Sequence, residues 1–153
     1  MTKIEELEQK LNECQKALAE LKESKKEGKW KPKKGEDYWF RDSFGNNIGE
    51  ISTDCRIDRW RSKHMVIFPT KEECARYWHF MDTVKEKSYS FSKEEWEDVN
   101  IRKYYIFYSY NNTYFKVHSD LHCKDLGTNY FKTEEDAQYI IDNFKDELME
   151  YWI

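Results

Sequence analysis

Two stretches of this 153-residue chain repeat one pattern, and that recurrence constrains the fold more than any other feature. Tyr38-Trp39-Phe40-Arg41-Asp42 has the aromatic content of a strand, and Ser43-Phe44-Gly45-Asn46-Asn47 supplies a turn. Ile48-Gly49-Glu50-Ile51 then alternates as a returning strand. Met65-Val66-Ile67-Phe68 reads as a third, buried strand. Pro69-Thr70-Lys71-Glu72-Glu73 opens a helix, with Thr70 as N-cap and Glu73 completing a capping box. Apolar residues at Cys74, Tyr77, Trp78, Met81 and Val84 keep helical spacing behind it. Residues 104–108, 109–112, 113–117, 130–131 and 133–136 run through the same order: strand, turn, strand, strand, helix start. Ser43-Phe44 recurs as Ser109-Tyr110, and Phe68-x-Thr70-x-Glu72 recurs as Phe131-x-Thr133-x-Glu135.

One such copy offers too small a sheet to stand alone, so two copies are expected to share a sheet or to stack sheet faces. The expected class is α+β: an N-terminal coiled-coil-like helix, then two tandem β-hairpin–strand–helix repeats forming antiparallel sheet covered by helices. The expected segments are 1–27 for the helix, 28–36 for a basic linker, and 37–100 and 101–153 for the two copies. A second capping box, Ser92-Lys93-Glu94-Glu95, opens a short helix carrying Trp96. The last helix is expected to place Ala137, Ile140, Ile141, Phe144, Leu148 and Trp152 on one face.

At the N-terminus, Ile4, Leu7, Leu11, Cys14, Leu18 and Leu21 alternate at three- and four-residue spacing, which is a heptad seam. Good helix formers fill the positions between, and Gly28 with Pro32 ends the pattern. So short a helix needs a partner to bury its stripe. The stripe either pairs with a second copy, giving a homodimer, or docks back onto the chain's own body.

Net charge is −4, unevenly distributed. Residues 1–34 hold ten Lys against seven Glu, while the remainder holds sixteen basic against twenty-three acidic groups. The basic excess lies in Lys25, Lys26, Lys29, Lys31, Lys33 and Lys34. Such an arm can bind phosphate by counterion release, or it can be a solvated linker held open by self-repulsion. Arg56, Arg59, Arg61 and Lys63 form a second basic cluster around Trp60, placed in the loop of the first copy.

Six Trp, eleven Tyr and nine Phe exclude a disordered chain, and two Pro with five Gly exclude collagen-like or low-complexity material. No apolar run is long enough to span a membrane, and the charged N-terminus lacks a signal-peptide core; the expectation is a cytoplasmic protein. The four cysteines, Cys14, Cys55, Cys74 and Cys123, are dispersed without metal-binding or disulfide spacing and are expected as reduced thiols.

Motifs of catalysis are missing: there is no nucleophile elbow, phosphate-cradling Gly loop or zinc-protease helix. His118-Ser119-Asp120-Leu121-His122-Cys123 comes nearest to a metal site. It follows a strand and reads as a loop with ordinary histidines, so no metal, cofactor or enzymatic activity is expected. The paired acids Glu72/Glu73 and Glu134/Glu135 sit in first helical turns, where the macrodipole explains them.

The aromatic hairpins are the remaining signal. Consecutive strand residues point to opposite faces, so helices on one face would leave the other rich in Tyr and Trp. Trp39, Trp60, Tyr105, Phe107 and Tyr114 are the candidate partner-binding residues, because such side chains dominate protein-interface hot spots. They can equally stack nucleobases, or be buried with one copy against the other. Under the nucleic-acid alternative the contact residues are Lys29, Lys31, Lys33, Lys34, Arg56, Arg59, Arg61 and Lys63.

Trp30-Lys31-Pro32-Lys33-Lys34-Gly35-Glu36-Asp37-Tyr38-Trp39 resembles the opening motif of a family of small phage and prophage proteins. Asp42, Gly45, Asp58, Arg59, Phe68, Thr70, Glu72, Glu73 and Ala75 continue its pattern, and Gly127, Asn129, Phe131, Thr133, Glu134 and Glu135 follow it more loosely. The matched residues are caps, turns and core aromatics, so the resemblance implies no catalytic residue. It implies a non-catalytic phage accessory protein in the host bacterial cytoplasm. The concrete form is an anti-CRISPR-like inhibitor that binds a nucleic-acid-processing defence effector. The alternative is a nucleic-acid-binding phage regulator.

Overall fold

The computed structural model describes residues 9–16, 30–121, 124–125 and 127–153, and shows an α+β protein. Helix α1 covers residues 9–16. There follow β1 (Asp37–Arg41), β2 (Asn47–Ile51), α2 (Arg56–His64), α3 (Lys71–Lys87) and α4 (Lys93–Glu97). The chain continues through β3 (Lys103–Ser109), β4 (Tyr114–Asp120), β5 (Tyr130–Phe131), α5 (Glu134–Asn143) and α6 (Lys145–Tyr151). The described residues group into two compact units divided between Cys74 and Ala75. Of the two sheet arrangements expected, a shared sheet is not formed: β1-β2 and β4-β3-β5 are separate antiparallel sheets.

In the first unit, Asp42 organises the hairpin turn by accepting from the backbone N–H groups of Phe44 and Asn46 at 2.9 and 2.8 Å. Gly45 supplies the left-handed residue at φ +87° that the turn requires. Tyr38 and Phe40 share one face of β1 and form the core with Ile67, flanked by Trp30, Ile48 and Met65. Trp39, on the other face, lies over its cross-strand partner Gly49. A Cβ there would come within 2.7 Å of the Trp39 ring. Gly49→Ala is therefore expected to displace the indole and to cost about 1–3 kcal/mol. A lower urea midpoint and a moved Trp39 indole resonance would register this.

Three sequence expectations change in this unit. The third strand, Met65–Phe68, is reduced to one bridge in which Phe68 and Trp39 exchange both backbone hydrogen bonds, at 2.8 and 2.9 Å. The described part of the 28–36 linker is tied down rather than free. Trp30 packs on the core, Gly35 N–H donates to the Ser52 carbonyl at 2.7 Å, and Ser52 N–H donates to that of Glu36 at 2.8 Å. The basic cluster Arg56–Lys63, placed in a loop, is helix α2.

In the second unit, opposed residues of the β3–β4 pair share a face. The pairs Ile106↔Val117 and Tyr108↔Phe115, with Tyr104 beside Phe131 of β5, face the core. Phe80 and Val84 of α3, Ala137 and Ile140 of α5, and Phe144 and Leu148 cover that face. Ser92 and Thr133 cap α4 and α5 as their sequences indicate, each side chain accepting a backbone N–H three residues on at 3.2 Å. The single terminal helix is instead two, broken at Phe144 (φ −134°, ψ 33°). The i→i−4 bonds Phe144→Ile140 and Leu148→Phe144, both 2.9 Å, survive on either side, so the apolar face continues through the break. β4 reaches Asp120, which makes His118 a strand residue paired with Tyr105, not a loop histidine.

Candidate functional site

The alternation that buries one face of the second sheet sets Tyr105, Phe107, Ser109, Tyr114, Lys116 and His118 on the other. Phe107 and Tyr114 are 43% and 42% exposed, and Tyr105 is half-buried. His118 stands between the rings of β3, with centroids 5.1 Å from Phe107 and 5.9 Å from Tyr105. The Lys116 ammonium lies 5.8 Å from the Phe107 ring, near enough for a cation–π contact. One end of the face is walled. Tyr130 contacts Tyr105 and Trp96 edge-on, and the buried Lys103 ammonium donates to the carbonyls of Asp98 (2.9 Å) and Leu121 (3.2 Å), 5.5 Å from the Trp96 ring. The other end is open, and the hairpin tip there presents Tyr110.

In the first unit, α2 is held to the hairpin by a polar network. Asp58, on its inner face, accepts from Tyr38 Oη (2.7 Å), Thr53 N–H (2.8 Å), Thr53 Oγ1 (3.0 Å) and Cys55 N–H (3.3 Å). Arg61 donates to Tyr38 Oη at 2.8 Å, pairs with Glu50, and lies 4.5 Å from the Phe40 ring centroid. The Tyr38 hydrogen bond, followed by the Thr53 and Cys55 donors, holds the Asp58 carboxyl well below the usual range. Burial and the bond to Asp58 push the Tyr38 phenol up to about 12. Both shifts arise from the hydrogen bonds that fasten the helix to the hairpin.

The outer side of α2 carries Arg56, Arg59, Trp60 and Lys63, all exposed. Arg59, Lys63 and Lys31 line a cleft of about 420 Å³ together with the buried Ser52, Asp58 and Ser62 and with Asp54.

Comparison with protein-family models, with curated proteins and with solved structures returned no match. Local geometry is therefore what bears on function. Among the described residues, no group of three or more His, Cys, Asp or Glu could hold a metal ion, and no helix is long and apolar enough to cross a membrane.

Of the candidates read from sequence, the second sheet brings together Tyr105, Phe107 and Tyr114. Trp39 and Trp60 belong to the first unit, Trp39 half-covered above Gly49 and Trp60 exposed. Arg61 is absorbed into the Tyr38–Asp58 network, whereas Arg56, Arg59 and Lys63 point outward. Lys31, Lys33 and Lys34 are exposed, while Lys29 lies outside the described residues. In the heptad stripe Leu11 and Cys14 are helical and exposed; Ile4, Leu7, Leu18 and Leu21 lie outside the described residues, as do His122 and Cys123. Sequence reading missed Phe44, which is 88% exposed at the Asp42-organised tip. The signal was an aromatic residue inside a turn, where no strand alternation accounts for it.

Proposed function

We propose that the chain is a non-catalytic recognition protein whose open sheet face, built on Tyr105, Phe107, Tyr114, Lys116 and His118, docks a protein partner. The observation that carries the reading is the asymmetry of one sheet. Three helices cover Tyr104, Ile106, Tyr108 and Phe115, whereas Phe107 and Tyr114 on the reverse remain exposed. Aromatic anchors beside one cation, with a polar rim, have the composition of an interface centre. Lys116 is the one Lys or Arg among Tyr105, Phe107, Ser109, Tyr114, Lys116 and His118, and a single cation gives little hold on a phosphate backbone, which favours a protein partner over nucleic acid. The resemblance to small phage proteins narrows the partner to a bacterial nucleic-acid-processing protein, inhibited by occupation of its surface.

Full-length protein used as bait in nuclease-treated bacterial lysate is expected to retain a specific protein. The variant Phe107→Ala/Tyr114→Ala should not retain it. Capture that disappears with nuclease treatment, or that is equal for the two baits, refutes this assignment.

A further inference from the structure

We infer that the outer face of α2, with the cleft beside it, is a binding site for single-stranded nucleic acid. Phosphates are taken by Lys31, Arg56, Arg59 and Lys63, and a base is stacked on Trp60. This site lies in the first unit and does not depend on the open sheet face.

Three observations converge on it. The first is helical spacing. Arg56 is four residues from Trp60 and three from Arg59, and Lys63 is four from Arg59 and three from Trp60, so the four side chains fall on one side of the helix. The second is charge. Among the described residues none of Lys31, Arg56, Arg59 and Lys63 has an ion-pair partner, whereas Arg61 on the inner side is consumed by Glu50. Unpaired cations lose little on meeting phosphate and release counterions from it. Two carboxylates line the cleft. Asp58 is buried and its charge is spread over the donors of Tyr38, Thr53 and Cys55; Asp54 is the exposed one, outnumbered by three cations in the lining. The buried Ser52 and Ser62 complete a polar floor.

The third observation is Trp60. It is 56% exposed although it is the largest side chain on its helix, and His64 props it at a centroid distance of 5.1 Å and 33°. An indole steadied on one side and open on the other is a stacking platform for an unpaired base. Bases of a duplex are already stacked and cannot reach it, and this selects a single strand. The helix is held by Asp58 and Arg61 before any ligand arrives, so the four contact residues are presented in a fixed array.

The test is fluorescence anisotropy of the full chain with labelled oligo(dT) and oligo(U) of about 12 nucleotides, a duplex of equal length, and inorganic pyrophosphate as competitor. Four phosphate contacts on a single strand give a salt slope of about −2.8, or about 50-fold weaker binding at about 200 mM than at about 50 mM salt. Arg59→Ala/Lys63→Ala should lower the slope by about 1.4. Trp60→Ala should weaken binding about tenfold without changing the slope. All three side chains are exposed, so urea midpoints should stay at the wild-type value.

Absence of binding to both single strands at about 50 mM salt overturns the inference. So does duplex binding equal to single-strand binding with Trp60→Ala silent, which would mark a general polyanion patch. Binding untouched by the α2 variants would place the contacts elsewhere and overturn it as well. Phe107→Ala/Tyr114→Ala should leave these titrations unchanged, which separates failure here from failure of the protein-docking face.

Discussion

Alanine at Phe107 and Tyr114 together is expected to weaken binding of the protein partner by about 100-fold or more while leaving the urea midpoint at its wild-type value. Both side chains stand on the face that, among the described residues, is turned away from the covering helices. Each is a half-exposed ring able to lose the rest of its hydration in a complex, the condition under which truncating one aromatic side chain costs about 1–2 kcal/mol or more. The Lys116 contact sharpens the expectation, because removing Phe107 also releases an ammonium group that the ring helps to position. Stability is spared because the residues between them in the pleat carry the packing: Ile106 and Tyr108 on β3, and Phe115 and Val117 on β4. Isothermal titration with the captured partner reads the affinity, and urea unfolding of the same preparation reads the fold. Unchanged affinity with unchanged stability would remove the open face from consideration.

Sequence patterning exposed the parts of the fold that rest on apolar periodicity and capping. Thr70, Ser92 and Thr133 announce α3, α4 and α5 because a short hydroxyl side chain three residues before an acid satisfies N–H groups that every helix start leaves bare. The hairpin strands show through their aromatics, and the alternation in Tyr104–Tyr108 sorts the side chains onto two faces without telling whether the second is buried or open.

Helix α2 was illegible for a specific reason. Its buried positions, Asp58 and Ser62, are polar, and its apolar residues, Ile57 and Trp60, are exposed. A search for hydrophobic spacing finds no core-facing stripe there, since the inner face is fixed by hydrogen bonds. The same inversion hid how the basic cluster around Trp60, already visible in the sequence, is arranged. Arg56, Arg59 and Lys63 become neighbours only once the segment is helical, and only then does Arg61 turn inward.

The break at Phe144 was hidden for the opposite reason. Apolar spacing runs unbroken from Ala137 to Trp152, and neither Gly nor Pro marks the interruption. Residues 65–68 read as a strand from their β-propensity, but Pro69 and the cap at Thr70 follow at once, leaving pairing only at Phe68.

The network that fastens α2 yields the other large effect. Asp58→Ala should destabilise the protein by about 3 kcal/mol, since it strips a common acceptor from the Tyr38 phenol, the Thr53 amide and hydroxyl, and the Cys55 amide. The shifted ionisations give the effect a pH signature. The folded state lowers the Asp58 pKa, so the carboxylate's contribution is complete above about pH 4, the ordinary range of an unfolded aspartate. It is lost progressively as pH falls below that. Tyr38 titrates in the other direction. Its phenol is raised from 10.0 to about 12, so its contribution is complete below pH 10.0 and is lost as pH climbs between those values. Urea unfolding from about pH 3 to about pH 7 should therefore show an acid limb that is steeper for wild type than for Asp58→Asn, which keeps the shape but cannot ionise. Tyr38→Phe should correspondingly flatten the alkaline limb, read in a second series from about pH 9 to about pH 12. Parallel limbs for wild type and variants would mean that the network does not hold the helix. In that case, the outer array of Arg56, Arg59, Trp60 and Lys63 would lose its fixed scaffold along with it.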